Sequence, residues 1–563
     1  MPGSIFPKQP ASMLEVASWR TVRNDNISLD NIAEERVLSI KNVNLHGFIS
    51  IHGVANFLNV PFATIPARFK TATPLSLTEL KGDLDATQYG PRCPQPPDHI
   101  HIIMHHMFEK QSMEQRQSEL DCLHVNIYGP PEAILEKKGE KLPVFVYIHG
   151  GAFNAGDNTT EFDGNHLVKR SIELGKPIII VTINYRVNAL GFLSSRELIA
   201  EAEANGEVPV LNQGLNDQKL ALQWIHSHIA HFHGNEARLT VSGESAGALS
   251  IWFHLQGKTP LFNQAIIQSL PYPKLQTLER AQAAFDDLVA SVGIPATASA
   301  EEKLASLRNI SIAKLVLHID VSSAVTPVID PNWFRSSDTV PMFSPEYWAN
   351  IPSWCERVIT GHTKDEASLF FLPALANLTA DGLSEILKGL DASPKLIETI
   401  FSSKQALTPS RALIAYGTSA MFARPIIDLT DAAARQGKSV WMYEIRVTDP
   451  YPGPLHGFTW HSMGVPIMFN QPSCQNFEEL AHTAEKMSSA YTYFFHGLDP
   501  WEPYSVNRRK WIWNGKESGM SNDGTDDEIW TLIKGNKERE ENFKQAGDKL
   551  LGAVFKLQDK RDN

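Results

Sequence analysis

The stretch Leu239-Thr240-Val241-Ser242-Gly243-Glu244-Ser245-Ala246-Gly247-Ala248 constrains this chain more than any other. A β-branched run enters a G-x-S-x-G pattern and leaves it as Leu249-Ser250-Ile251-Trp252-Phe253. A strand that reverses into a helix within two or three residues holds its central serine in a strained backbone conformation. The residues two positions either side must then be small, and Gly243 and Gly247 are. The pattern predicts a nucleophile elbow. An isolated G-x-S-x-G is a weak signal, because glycine-rich turns after strands are common, so its weight depends on what the rest of the chain supplies.

The surroundings supply strand and helix in alternation. Leu142-Pro143-Val144-Phe145-Val146-Tyr147-Ile148 is a near-continuous apolar run of the kind a strand buried on both faces shows. It stops abruptly at His149-Gly150-Gly151-Ala152-Phe153, where consecutive glycines allow backbone N–H groups to face open space. On its own this is equally a plain turn. Pro177–Tyr185 reads as a second buried strand, and Leu220, Ala221, Trp224 and Ile225 fall on one helical stripe before the elbow strand. Strand, helix, strand, sharp turn, helix predicts a doubly wound α/β fold with its site at the carboxyl ends of the strands. Further strands are expected at Arg357–Thr360 and Ser439–Ile445.

Flanking regions read differently. Residues 1–35 are polar and punctuated by proline, an N-terminal arm, with residues 36–563 forming one domain. Between about 271 and 345 the texture turns helical, an insertion expected to cover the site; Ser299 and Glu302 there form a capping-box pattern for a helix through Leu315. The loop from Cys93 to Cys122 carries His99, His101, His105, His106, Met104 and Met107. No companion ligand motif accompanies these histidines, so they read as a surface loop over a pocket mouth, and no metal is expected.

Composition excludes several functions. A net charge of −12 with dispersed lysine and arginine argues against a nucleic-acid partner, and no apolar run reaches membrane-spanning length. Four cysteines in 563 residues make no disulfide scaffold, and no secretory signal is visible, so the expected location is cytoplasmic.

A serine hydroxyl needs a histidine to take its proton and a carboxylate to orient that histidine. Ser245, Glu366 in Gly361-His362-Thr363-Lys364-Asp365-Glu366, and a histidine near 460 stand in the chain order Ser, acid, His. With these motifs assembled, the chain resembles the type-B carboxylesterases and lipases, the family that includes the cholinesterases. The resemblance runs through Phe57–Phe69, Asp121–Tyr128, His149–Phe153, Asn184–Leu193, Asn212–Ile225, Val241–Ala248, Gly361–Phe370 and the region of His461. It implies an α/β-hydrolase fold: a large, mostly parallel central sheet flanked by helices. It also implies Ser245 as nucleophile, Glu366 as triad acid with Asp365 as the fallback, and the N–H groups of Gly150, Gly151 and Ala246 as an oxyanion hole. Cys93 and Cys122 match a disulfide pair of the family.

Two histidines compete for the base. His456-Gly457 imitates the family's His-Gly, whereas His461-Ser462-Met463-Gly464-Val465-Pro466 aligns without a gap to the following apolar segment, and His461 is preferred. Gly464 stands where the family usually has Glu. Asn188 and His233 each replace a glycine. The expected activity is carboxylic-ester hydrolysis of a small-molecule ester or lactone through an acyl-enzyme, with no cofactor. Acyl transfer on the same triad, or a non-catalytic interaction role on the same fold, are the alternatives.

Overall fold

The computed structural model describes residues 32–96, 103–108, 116–319, 326–334, 345–349, 351–375, 378–390, 398, 408–522, 528–547 and 549–553. One sheet of thirteen strands among these residues organises the molecule. Twelve strands form its continuous path: β1 (Ile32–Ile40), β2 (Val43–Ser50), β3 (Ala55–Pro61), β4 (His124–Gly129), β5 (Leu142–Ile148), β6 (Ile179–Ile183), β7 (Gly234–Glu244), β8 (Gln264–Gln268), β9 (Arg357–Thr363), β10 (Ser439–Ile445), β11 (Trp511–Trp513) and β12 (Gly519–Met520). Their spatial order is β1-β2-β3-β4-β6-β5-β7-β8-β9-β10-β11-β12, with the short strand Gly82–Asp85 beside β2. From β6 to β11 every neighbour is parallel. Antiparallel pairs flank that run, from β1 to β6 on one side and at β12 on the other. The sheet is therefore mixed, with its parallel part at the centre.

Side chains alternate across the central strands because successive Cβ atoms point to opposite faces. Val144, Val146, Ile148, Val241, Ile267 and Met442 join one buried cluster. Phe145, Tyr147, Ile266, Trp441 and Tyr443 join the other. Helices cover both faces: Gln213–His228, Ala246–Gln256 and Arg424–Arg435 contribute to the first cluster, and Asn165–Glu173 and Glu478–Phe495 to the second. Burial on both faces explains why β5 and β6 read as unbroken apolar runs.

Chain order reverses at β5: the chain crosses from β5 to β6 on one side and later returns to place β7 on the other. Crevices at such reversals, outside the carboxyl ends of the strands, are where open α/β sheets bind ligands. Here the β5 end carries His149-Gly150-Gly151 and the β7 end carries Ser245, and Ile148 pairs directly with Gly243.

Several boundaries differ from the sequence reading. Strand β1 begins at Ile32, inside the span read as an arm, and residues 1–31 lie outside those described. The helix expected through Leu315 stops at Asn309; its capping box is present, but Ser311 accepts from Lys314 N and starts a separate helix, Ile312–His318. His99 and His101 lie outside the described residues. The neighbouring segment is not a surface loop: Met107 and Phe108 are buried, and His106 Nε2 lies 2.7 Å from Asp449 Oδ2.

Cys93 and Cys122 are unbridged buried thiols, and a hydrogen bond with Cys93, together with burial, pushes the Cys122 thiol well up. Asn188 and His233 hold φ of 50° and 66°, the left-handed region that favours the glycines they replace. Each adds an anchor: Asn188 Nδ2 donates to Pro94 O at 2.8 Å, and His233 Nε2 lies 3.1 Å from Gly139 O.

The segment after β6 is fixed by a buried ion pair. Arg186 Nε and Nη2 donate to Asp217 Oδ2 and Oδ1, both at 2.7 Å, and Nη1 donates to Lys70 O. Removing one partner strands a buried charge, which costs about 3–5 kcal/mol. Asp217→Ala is accordingly expected to lower the urea midpoint by a corresponding amount, and an unchanged midpoint would show the pair to be energetically idle.

Candidate active site

Strand β7 ends at Glu244, and the helix Ala246–Gln256 starts one residue after Ser245. Ser245 takes φ 57° and ψ −118°, a conformation that costs a non-glycine residue about 1–3 kcal/mol. Only close backbone packing sustains it. A Cβ on Gly247 would lie 2.2 Å from the Ile148 carbonyl oxygen, and one on Gly243 would lie 2.5 Å from the Gly247 carbonyl carbon. The two glycines of the motif are thus required by contact as well as by chain reversal.

The loop after β5 lies against the same turn. A Cβ on Gly150 would meet Glu244 O at 2.8 Å and the Ser245 Cβ at 3.4 Å. Gly151 has φ 101°, and Ala152 and Phe153 follow at 54° and 61°. The Ala246 N–H opens its helix and so has no acceptor within it. Gly150 therefore packs beside Ser245, which is partly exposed and is followed directly by Ala246, while Gly151 lies against Ala155 and Gly156.

Glu366 follows β9 and is fully buried. Its Oε1 accepts from Ser269 Oγ at 2.6 Å and from Thr363 N at 2.7 Å, and its Oε2 lies 2.5 Å from His461 Nδ1. Burial would raise its pKa, but the imidazole and these hydrogen bonds hold the carboxyl below the usual carboxylate range. Asp365 serves another purpose. Its Oδ2 accepts from Thr459 N at 3.0 Å, pinning the strand of chain that leads to His461. Trp460 donates from Nε1 to Asp449 Oδ2 at 2.8 Å and fixes the same loop.

His461 is buried against the stacked rings of Phe370 and Phe422, whose centroids lie 5.1 and 4.7 Å from its own. His456 is exposed, with Nδ1 3.1 Å from the Tyr451 carbonyl, and is remote from Glu366 in its contacts. A Cβ on Gly464 would meet Ile445 Cδ1, the far end of a flexible side chain, at 2.9 Å.

One neighbour was not foreseen from the sequence. Glu244, between Gly243 and the serine, turns its carboxylate to His461, with Oε1 3.1 Å from Nε2. The approach is off the direction of a hydrogen bond, so Nε2 has no hydrogen-bond partner among the described residues. Burial pushes Glu244 up to about 7, against the opposing pull of His461. For His461, burial favours the neutral ring, yet Glu244 and Glu366 together raise its pKa. Ser269 was also unforeseen; it sits one residue past β8, and only strand order brings it to Glu366.

A family model for the Carboxylesterase family matches residues 34–515. The chain belongs to that family. It is 32% identical to Lipase 2 of Diutina rugosa over 361 residues, 58% of this chain and 61% of that lipase, so the match spans less than two thirds of that relative. It is 28% identical to the para-nitrobenzyl esterase of Bacillus subtilis (strain 168) over 502 residues, covering 84% of this chain and 93% of the esterase. Among solved structures, a PNB esterase superposes with a TM-score of 0.68 at 25% identity, covering 90% of this chain and 99% of that one. The fold is the α/β-hydrolase fold. Among the described residues no helix is long and apolar enough to cross a membrane, and no group of three or more His, Cys, Asp or Glu is placed to hold a metal ion.

Because two carboxylates raise His461, Glu244→Gln should lower the pH at which the imidazole titrates, followed by NMR of its ring protons. An unmoved titration would mean that Glu244 is already neutral when His461 gains its proton.

Proposed function

We propose that the chain is a serine carboxylic-ester hydrolase working through an acyl-enzyme on a small-molecule ester or lactone. The observation that carries this reading is the buried contact of His461 Nδ1 with Glu366 at 2.5 Å, next to a carboxylate that immediately precedes the strained Ser245. Family membership and relatives named as lipases and a para-nitrobenzyl esterase support the ester class.

With its Nδ1 proton donated to Glu366, neutral His461 presents the Nε2 lone pair. The Ser245 Oγ–H proton passes to Nε2 as Oγ bonds to the ester carbonyl carbon, and the carbonyl π electrons move to oxygen. The N–H groups of Gly150, Gly151 and Ala246 stabilise that oxyanion. Its collapse breaks the bond to the alcohol oxygen, which leaves with the proton from Nε2. Water then repeats the sequence on the acyl-enzyme, releasing the acid. The Ser245–His461 hydrogen bond is not formed in the free protein; such bonds commonly tighten only when substrate is bound. No metal or organic cofactor enters the scheme. The four unpaired cysteines fit a reducing compartment, in keeping with a cytoplasmic location.

With an activated p-nitrophenyl ester the protein should give a stoichiometric burst that vanishes in Ser245→Ala. His461→Ala and Glu366→Ala should lower kcat by about 10⁴ or more. A full burst in Ser245→Ala would overturn the assignment. The same kinetics in the presence of added alcohols separate the two fates of the acyl group, since a transferase would yield the new ester in place of the acid.

A further inference from the structure

The peptide units that present the Gly150 and Gly151 amides are each held from behind by a side chain. In the His149–Gly150 unit, whose N–H belongs to Gly150, the carbonyl accepts from Tyr185 Oη at 3.0 Å. In the Gly150–Gly151 unit, whose N–H belongs to Gly151, the carbonyl lies 2.9 Å from His149 Nδ1. A carbonyl can only accept, so the proton of this contact is on Nδ1. The two side chains support each other: the rings of His149 and Tyr185 stack with centroids 4.2 Å apart and planes 14° apart, both almost completely buried. Burial lowers His149 to about 4 and raises Tyr185, so both are neutral donors at pH 7.

The arrangement is closed on its remaining side. A Cβ on Gly156 would lie 2.4 Å from His149 Nδ1 and 2.7 Å from Gly150 O, so nothing larger than glycine fits over the contact. Gln95 holds Gly156 there, accepting from its N–H at 2.8 Å and donating to its carbonyl at 3.0 Å. A hydrogen bond accepted by a peptide carbonyl polarises the whole unit and strengthens its N–H as a donor. It also fixes the plane of the unit, and an oxyanion hole works only if its donors are aimed before charge develops.

We propose that Tyr185 and His149 are positioning residues of the oxyanion hole, each anchoring and polarising one of the peptide units whose amides receive the substrate oxygen. The inference rests on the hydrolase reading above. Neither side chain touches the substrate; both act through the backbone.

The test uses the full chain with Tyr185→Phe, which deletes one hydroxyl, and His149→Phe, which keeps a stacking ring but removes the Nδ1 donor. Each protein is acylated with an activated ester carrying a ¹³C-labelled carbonyl, and the acyl carbonyl stretch is read by infrared difference spectroscopy alongside kcat, KM and the affinity of a trifluoromethyl ketone. In each variant the stretch should move to higher frequency and kcat should fall between about three- and thirtyfold, less than when an oxyanion donor is removed outright. KM should stay within about twofold, and the ketone should weaken by the same factor as kcat. Acyl-enzymes with the unsubstituted protein's carbonyl frequency and ketone affinity would overturn the inference and leave the hydrolase reading intact. Absence of any acyl-enzyme in the unsubstituted protein would overturn that reading and this one with it. Should Tyr185→Phe fail to fold, His149→Phe alone decides, because its ring stack is retained.

Discussion

The carbonyl oxygen of Ile148 stands where a side chain on residue 247 would begin, and the site depends on that backbone-to-backbone approach. It lets the helix after the elbow start hard against the end of β5, which brings Gly150 up to the Ser245 side chain. Two neighbouring parallel strands therefore bring Ser245 from one and the Gly150-Gly151 turn from the other to the same end of the sheet. Their register, Ile148 opposite Gly243, sets the relative height of the two loops. Strain at Ser245 is sustained because helix, strand and loop all converge on a turn with no room to relax.

Electrostatics follow from the same convergence. Three ionisable groups, Glu244, Glu366 and His461, share a buried space, yet their surroundings differ. Glu366 is surrounded by donors and stays charged; Glu244 has fewer and is pushed towards neutrality by burial. His461 between them is drawn towards the charged form from both ring nitrogens. Such a division allows one carboxylate to orient the ring while the other responds to its protonation.

Much of this was legible in the sequence because it is local. The elbow, the glycines after β5 and the buried strands are each written within ten residues. The choice of His461 over His456 followed from gap-free spacing to an apolar segment, and the structure places only His461 against Glu366. What escaped was set by neighbours distant in sequence. Ser269 reaches Glu366 through strand order, and Glu244 meets His461 only because the loop after β10 folds over the elbow. The segment around Met107, read as surface, is packed because His106 finds Asp449, more than three hundred residues away. The antiparallel outer strands lack the unbroken apolar runs of the centre, so the extent of the sheet was less visible than its core.

Asn188 and His233 occupy left-handed positions where glycine would serve, and both use side-chain hydrogen bonds to compensate. A return to glycine at either place leaves the backbone path available, at the cost of one hydrogen bond at His233 and three at Asn188. Gly243, Gly247 and Gly150 offer no such exchange, since their neighbours fill the space any side chain would need. Mutational traffic through this molecule is therefore open at these two left-handed positions and barred around the serine, so the route by which the chain can drift is drawn by steric room before selection on chemistry acts.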